Sequence, residues 1–304
     1  MLSIIIPVYN EQDNIQPLLD ELNKYVKEDA EFIFVDDGSK DNTLANIAAI
    51  AALDSRIKCI SLSRNFGHQN ALMAGLQYAK GDIIILMDGD LQHPPALIPA
   101  MLEKIKEGFD VVQTRRVSTQ NIGAGKKLFS SFFYKFINSM SDTRIEPNVA
   151  DFRAFTRKVL ESILQFEERE LFLRGIFSWI GYSTTTIDFT APERKYGSTK
   201  YSSGKMLLLA LRGITSFSYK PLRLSFLIGL VISFIALVAG IFYIIAYFQG
   251  KTVPGWTSLI TAVLFLGGVQ LLAIGLLGEY IASIFAESKK RPLYLVKHTI
   301  NIRS

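Results

Sequence analysis

Short apolar runs and amphipathic segments alternate along the first part of this chain. Residues 3–8, 31–35, 57–62, 82–87 and 110–114 are stretches of strand length with a high content of Ile and Val. Between them, residues 11–28, 41–53, 67–79 and 95–107 repeat apolar positions at helical spacing, as Ile15, Leu18, Leu19, Leu22 and Val26 do. Unbroken apolar runs of four to eight residues predict strands buried on both faces, and a 3.6-residue period predicts amphipathic helices. Strands alternating with helices of this length predict parallel pairing through right-handed crossovers. The expected fold class is therefore α/β, a doubly wound and mainly parallel sheet. Such a sheet places its ligands at the carboxyl ends of its strands.

The pattern changes after Arg115 and Arg116. Residues 125–140 carry Phe129, Phe132, Phe133, Phe136, Ile137 and Met140 at helical spacing, and residues 199–219 do the same with Leu207, Leu211, Ile214 and Phe217 beside Lys205 and Arg212. Aromatic or apolar faces with basic flanks predict interfacial amphipathic helices. Two apolar stretches follow, residues 224–248 and 258–282, whose only formal charge is Glu279. Each exceeds the roughly 20 residues that cross a ~30 Å hydrocarbon core, which predicts two transmembrane helices. Lys205, Arg212, Lys220 and Arg223 precede the first, and Lys289, Lys290, Arg291 and Lys297 follow the second, whereas residues 249–257 carry only Lys251. The positive-inside rule then predicts cytoplasmic termini and an outside turn near Trp256, in a multi-pass protein of the cell inner or plasma membrane. Residues 2–6 lead directly into a strand without a signal peptide, so the α/β part is expected to stay in the cytoplasm. Small residues in stripes, Ser225, Gly229, Ser233, Ala236 and Gly240 in one span and Gly268 and Gly275 in the other, predict close helix packing and a homo-oligomer.

Composition changes this picture little. The net charge of +5 is explained by basic residues flanking the spans, which face an anionic leaflet. No nucleic-acid motif accompanies it, and no nucleic-acid partner is expected. The single cysteine, Cys59, excludes an intramolecular disulfide and sits where a buried small hydrophobe belongs. His68, His93 and His298 lack zinc-ligand spacing.

Chemistry concentrates at the predicted strand ends. The fourth strand runs into Asp88-Gly89-Asp90-Leu91-Gln92-His93-Pro94-Pro95, where Pro-Pro ends the strand and suits the first turn of a helix. Asp88, Asp90 and Gln92 make an oxygen-only donor set that suits Mg²⁺ or Mn²⁺ and, through it, a diphosphate. The first strand ends in Pro7-Val8-Tyr9-Asn10-Glu11 and the second in Asp36-Asp37-Gly38-Ser39-Lys40-Asp41. Polar groups converging at neighbouring strand ends form a nucleotide-sized crevice. A carboxylate accepts the imide N–H of uracil or the protons of guanine, so Asp36 or Asp37 is a candidate base reader, while Ser39 or Asp41 suits a helix N-cap. A dinucleotide-binding dehydrogenase is excluded because residues 7–14 hold no glycine, and a phosphate loop is excluded because Gln120 and Lys127 stand where its first Gly and its Ser/Thr belong.

Taken together, Ser3 to Glu11, Val35 to Ser39, Asn65-Phe66-Gly67, Asp88 to Pro95 and Asp151-Phe152-Arg153 resemble the family 2 glycosyltransferases of GT-A fold. The two predicted spans and the closing Arg291-Pro292-Leu293-Tyr294-Leu295-Val296 narrow the resemblance to bacterial polyprenyl-phosphate glycosyltransferases, relatives of dolichyl-phosphate mannose synthase. The resemblance implies inverting transfer of a hexose (glucose, galactose or N-acetylglucosamine) from a nucleotide sugar, UDP-linked by expectation, to undecaprenyl phosphate. Carried onto matching positions, Asp90 and Gln92 ligate the metal with Asp88 beside them, and Pro7, Tyr9, Asn10, Glu11, Asp36 and Asp37 line the nucleotide site. Asp151 matches a position often assigned as the base, or else orients Arg153 or the acceptor; Ala150 stands where relatives often carry glycine. Arg194 and Lys200 resemble a mobile loop near the diphosphate. The second pKa of a phosphate lies near 6, so the lipid acceptor is largely a dianion at neutral pH and needs positive charge more than a base. Arg115, Arg116, Lys126, Lys127 and Arg153 are the expected acceptor-phosphate cations. The expected division is a catalytic domain at 1–198, a juxtamembrane helix at 199–221, a two-helix transmembrane domain at 222–282 and a cytoplasmic tail at 283–304. A processive polysaccharide synthase shares the same carboxylates but resembles a family with a Gln-x-x-Arg-Trp motif, which Leu173 to Trp179 lacks. A non-catalytic scaffold is expected to have lost the carboxylates that this chain retains.

Overall fold

A computed structural model of the chain describes residues 1–117, 149–168, 172–190, 220–249 and 255–302. They divide into two units, a globular one that includes Arg291 onward and a helical one that ends at Lys290.

The globular unit begins as the apolar pattern requires, with β1 (Leu2–Val8), α1 (Ile15–Tyr25), β2 (Ala30–Asp36), α2 (Thr43–Ala51), β3 (Ile57–Leu62), α3 (His68–Tyr78) and β4 (Ile83–Leu86). A single 3-10 turn, Pro95–Leu97, leads into α4 (Ile98–Lys106), so the proline pair starts a helix in place of continuing a strand. Then follow β5 (Val111–Arg116), β6 (Val149–Thr156), α5 (Arg157–Ile163), α6 (Leu173–Trp179) and β7 (Thr184–Phe189). After the helical unit the chain adds β8 (Val296–Ile300).

The eight strands among the described residues form one sheet in the order β7-β5-β6-β4-β1-β2-β3-β8. Its centre, β4-β1-β2-β3, is parallel and doubly wound as expected. Alternate residues of β1 face opposite sides. Ile4 and Ile6 join the core that α1 and α4 cover with Leu18, Leu22, Met101 and Leu102, while Ile5 meets α3 at Gly75, where a Cβ would collide with the Ile5 side chain. Both faces are therefore buried, which is why these strands read as unbroken apolar runs.

The flanks correct the expectation of a mainly parallel sheet. β6 inserts between β4 and β5 and is antiparallel to both, β7 pairs parallel with β5, and β8 runs antiparallel along β3. The sheet is mixed. Two antiparallel steps leave β5 pointing the same way as β4, so the carboxyl ends of β4 and β5 and the start of β6 share one edge.

The helical unit consists of α7 (Lys220–Phe248) and α8 (Trp256–Ser288). Its apolar side chains are exposed, Phe226 at 72% and Leu272 at 76%, the reverse of the globular core. Among the described residues one stretch, Phe265–Ser288, is long and apolar enough to cross a membrane, and Ser225–Ala239 is a shorter apolar segment of α7. The expected amphipathic helices at 125–140 and 199–219 lie outside the described residues.

Candidate active site

The crevice is built from strand ends that small residues bring together. Gly38, at φ +71°, presses against the Arg64–Asn65 backbone, leaving no room for a Cβ. Gly89 packs on Val8 and Pro7, which sets the Asp88–Asp90 turn beside the end of β1. Leu91 adopts φ 61°, a conformation that non-glycine residues rarely accept, and its reversal lets the Gln92 N–H donate to Asp90 Oδ1 at 3.1 Å.

Loop-to-loop hydrogen bonds stiffen the wall formed by β1 and β2. The Asn10 N–H donates to Ser39 Oγ at 2.9 Å, the Lys40 N–H donates to Asn10 Oδ1 at 2.8 Å, and the Glu11 N–H donates to Thr43 Oγ1 at 2.9 Å. The Glu11 carboxylate accepts from Asn14 Nδ2 at 2.6 Å. Asp41 accepts the Thr43 N–H at 3.0 Å and so serves the start of α2, whereas Ser39 serves Asn10. Asp36 and Asp37 are only 1% and 4% exposed. Asp36 accepts the Ser39 N–H at 3.0 Å and the Ser61 hydroxyl at 3.3 Å; Asp37 accepts the N–H groups of Phe66 and Gly67 at 2.7 and 2.9 Å. Burial pushes the Asp37 carboxyl up against those two bonds. Both side chains fasten loops in this conformation.

Asp88 occupies the centre. Its side chain is 33% exposed and faces two imidazoles, with His68 Nε2 at 2.7 Å from Oδ1 and His93 Nε2 at 3.7 Å from Oδ2. The Asp88 N–H donates to His93 Nδ1 at 2.9 Å, so the proton of that ring belongs on Nε2, toward the carboxylate. His93 is held flat on Phe152, centroids 5.2 Å apart, and edge-on to Phe189. Burial pushes the Asp88 carboxyl up, but His93, His68 and Arg174 outweigh it and hold the group well below the ordinary carboxylate range. In return, Asp88 and Asp151 overcome burial and raise His68.

Asp151, on β6, is gripped by a residue that the sequence reading missed. Arg174 on α6 donates to both its oxygens, Nε to Oδ1 at 2.8 Å and Nη2 to Oδ2 at 2.9 Å. Against burial, Arg174, Arg153 and His68 hold the Asp151 carboxyl below its usual range. A carboxylate with both oxygens in an arginine fork is a weak base and a well-fixed anion.

Three of the expected cations are described. Arg153 is only 2% exposed, donates from Nη2 to Ala150 O at 3.1 Å and lies on the Phe177 ring at 4.3 Å, and burial pushes its pKa down to about 10. Arg153 is thus an interior residue of β6, whereas the other two lie on the surface of β5. Arg115 pairs with Asp188 on the neighbouring β7 through Nε at 2.8 Å and Nη2 at 3.0 Å, and Arg116 is exposed beside it. Lys126, Lys127, Arg194 and Lys200 lie outside the described residues. Cys59 is fully buried, its thiol pushed up to about 12 by burial and by Asp36.

The donors at Asp88, Asp90 and Gln92 suit a hard divalent ion. Among the described residues no group of three or more His, Cys, Asp or Glu is placed to hold a metal by itself. The carboxylates of Asp88 and Asp90 fit an ion such as Mg²⁺, which takes one or two protein carboxylates and completes its shell from water and substrate phosphates.

A parallel α/β core with carboxylates gathered at its strand ends, flanked by antiparallel strands, is the GT-A architecture of glycosyltransferases. Comparison with known proteins agrees. Residues 3–164 match the family described as Glycosyl transferase family 2, and residues 220–284 match the GtrB C-terminal hairpin. The chain belongs to glycosyl transferase family 2 and is a glycosyltransferase. It is 43% identical over 97% of its length to an uncharacterized glycosyltransferase of Synechocystis, covering 94% of that protein. It is 42% identical to a prophage bactoprenol glucosyl transferase homolog of Escherichia coli, over 97% of this chain and 98% of the other. Its fold resembles a crystal structure of a mycobacterial protein with a TM-score of 0.50, at 18% identity, covering 71% of this chain and 72% of that one.

Proposed function

We propose that this glycosyltransferase moves a hexose, glucose by first choice, from a UDP-linked nucleotide sugar to undecaprenyl phosphate with inversion at the anomeric carbon. The observation that carries this reading is end-to-end similarity to relatives named bactoprenol glucosyl transferase, including that of Shigella phage SfV at 42% identity over 98% of both chains. Bactoprenol is undecaprenol, so the acceptor class follows from those names.

The site's chemistry supports such a reaction. Asp90, Gln92 and Asp88 are the residues to hold Mg²⁺ or Mn²⁺ against the diphosphate, and the ion, when bound, neutralises charge on the departing group. The nucleotide lies along the wall of Pro7, Tyr9, Asn10 and Glu11, which Asp36 and Asp37 keep in shape, and by resemblance Arg194 and Lys200 are candidate cations for its diphosphate. Arg115 and Arg116, at the same sheet edge as Asp88, begin the acceptor-phosphate side, and by charge and sequence position Lys126 and Lys127 are candidates for the same role. Asp151 positions and does not deprotonate: its oxygens are held by Arg174, and a phosphate dianion needs no strong base. In the same reading α7 and α8 both span the membrane with the globular unit and both termini in the cytoplasm, and the small-residue stripes support a homo-oligomer.

The test is the purified full chain incubated with undecaprenyl phosphate and a panel of radiolabelled nucleotide sugars. Transfer of label to the lipid from UDP-glucose, and its loss in excess chelator, is the expected result. Label transferred only to a growing polymer, or to no lipid at all, overturns the reading.

A further inference from the structure

The first turn of α3 touches both sides of the site, and the bonds it makes run in one direction. The Leu173 N–H, at the start of α6, donates to Gln69 Oε1 at 3.1 Å. That bond fixes which end of the Gln69 amide is oxygen, so its Nε2 faces His68 Nδ1 at 3.4 Å and donates to it. With Nδ1 acting as acceptor, the His68 proton sits on Nε2 and is given to Asp88 Oδ1 at 2.7 Å. One residue beyond Leu173 stands Arg174, whose fork holds Asp151. Gln69 and His68 therefore join α6, which carries Arg174, to the carboxylate at the end of β4, two groups otherwise contributed by separate elements.

We propose that Gln69 and His68 are positioning residues for sugar transfer, a hydrogen-bond relay that sets the orientation of Asp88 and registers it against the Arg174–Asp151 pair. The inference rests on the reading that Asp88 and Asp151 serve the transfer reaction. A carboxylate aimed by a histidine N–H loses rotational freedom before substrate arrives, and ligand-orienting partners of this kind are worth about 10–100-fold in metal affinity or activity when removed. His93 holds the other oxygen more distantly, so His68 is the shorter and more directional of the two grips.

The relay makes a stereochemical prediction that a merely structural histidine does not. A glutamine side chain at 68 carries its amide N–H to the Nε2 position, whereas asparagine reaches only the Nδ1 position. In the full chain, His68→Gln is expected to keep kcat within about threefold of wild type, while His68→Asn and His68→Ala lose on the order of 30-fold with the KM for UDP-glucose little changed. Mn²⁺ affinity in the presence of UDP, read by electron paramagnetic resonance of the free ion and so independent of turnover, is expected to weaken about tenfold in His68→Asn and not in His68→Gln. Gln69→Ala should show part of the same loss, and the His68→Ala, Gln69→Ala double variant should be no worse than His68→Ala, because both act through one chain of bonds. Equal activity and Mn²⁺ affinity of the Gln and Asn variants, or additive losses in the double variant, overturn the proposal. A wild-type chain that transfers no sugar to lipid phosphate overturns the reaction, and the relay is then decided by the Mn²⁺ measurement alone.

Discussion

Two carboxylates mark opposite edges of the same sheet and have opposite surroundings. Glu31, near the start of β2, is 3% exposed and fully employed: it accepts from the Ser3 hydroxyl and the Lys80 N–H and pairs with the Lys58 ammonium. Asp88, past the end of β4, is 33% exposed and gripped from behind by His68 and His93. Burial opposes ionisation of both, and both are nevertheless held below the ordinary range, Glu31 by Lys58, Ser3 and Lys80 and Asp88 by the two histidines and Arg174. A depressed pKa alone does not separate a structural carboxylate from a functional one. What separates them is exposure: Glu31 is enclosed by its partners, whereas a third of the Asp88 side chain stays exposed.

Substitutions at the two edges sharpen this contrast. Asp90→Asn is expected to leave the melting of the globular unit near wild type while transfer falls by about 10³-fold, the size of effect seen when one preorganised electrostatic group is lost. Asp88→Asn should lose transfer similarly and some stability as well, because His68 and His93 lose their carboxylate partner. Wild-type turnover by Asp90→Asn removes these residues from the reaction. Asp151→Asn should cost on the order of 10²-fold in kcat through lost positioning while the pH dependence of the rate survives; disappearance of a wild-type titration makes Asp151 a true base instead. At the other edge the expected loss moves from rate to stability. Glu31→Gln leaves Lys58 without its counter-ion and should cost about 3 kcal/mol, or on the order of 6–12 °C in Tm, with activity per folded molecule unchanged.

The pH dependence at Glu31 has a defined sign. Its folded pKa lies below the ordinary value of 4.5, so its contribution is complete above that pH and is lost as pH falls through the folded value. Thermal melts between pH 7 and pH 3 should therefore lose less stability in Glu31→Gln than in wild type. A parallel pair of curves means that the ion pair contributes nothing on folding. The smallest effect is expected at Arg115. Its pair with Asp188 is about half exposed on both sides, at 47% and 49%, so Arg115→Ala should change stability by no more than about 1 kcal/mol. Its KM for the lipid acceptor should nonetheless rise; an increase confined to the nucleotide sugar assigns Arg115 to the other substrate.

The parallel centre of the sheet was legible in the sequence because both faces are buried and each strand had to be apolar throughout. The flanks were not. β6 reads Val-Ala-Asp-Phe-Arg-Ala-Phe-Thr, and its charges, Asp151 and a buried Arg153, hide an otherwise strand-like pattern. β7 and β8 are flanking strands with partly exposed positions, and α6 has seven residues, too few to display a period. The site divided in the same way. Asp88 and Asp90 announce themselves by their place at a strand end, and Asp151 by the resemblance of Asp151-Phe152-Arg153 to the family, whereas His68 and Arg174 gain meaning only from contacts across 20 and 23 residues of chain. Local spacing carries no trace of such pairings; the sequence neighbours of His68, Asn65-Phe66-Gly67, were the nearest signal.

The returning strand β8 also dictates an order of manufacture. Its residues leave the ribosome after both long helices, yet they cover the edge of β3, where the Ser63 N–H donates to Leu295 O at 2.8 Å and the Asn301 side chain ties down Ala51 O and Ile57 O at 2.7 and 2.9 Å. Until then β3 is a bare strand edge, the kind that invites pairing with another chain. The sheet therefore closes only after α7 and α8 have been synthesised. A chain cut before α7 keeps every carboxylate of the crevice and loses its own edge guard. Such a fragment is expected to self-associate through β3, and adding residues 291–302 as a free peptide should suppress that association.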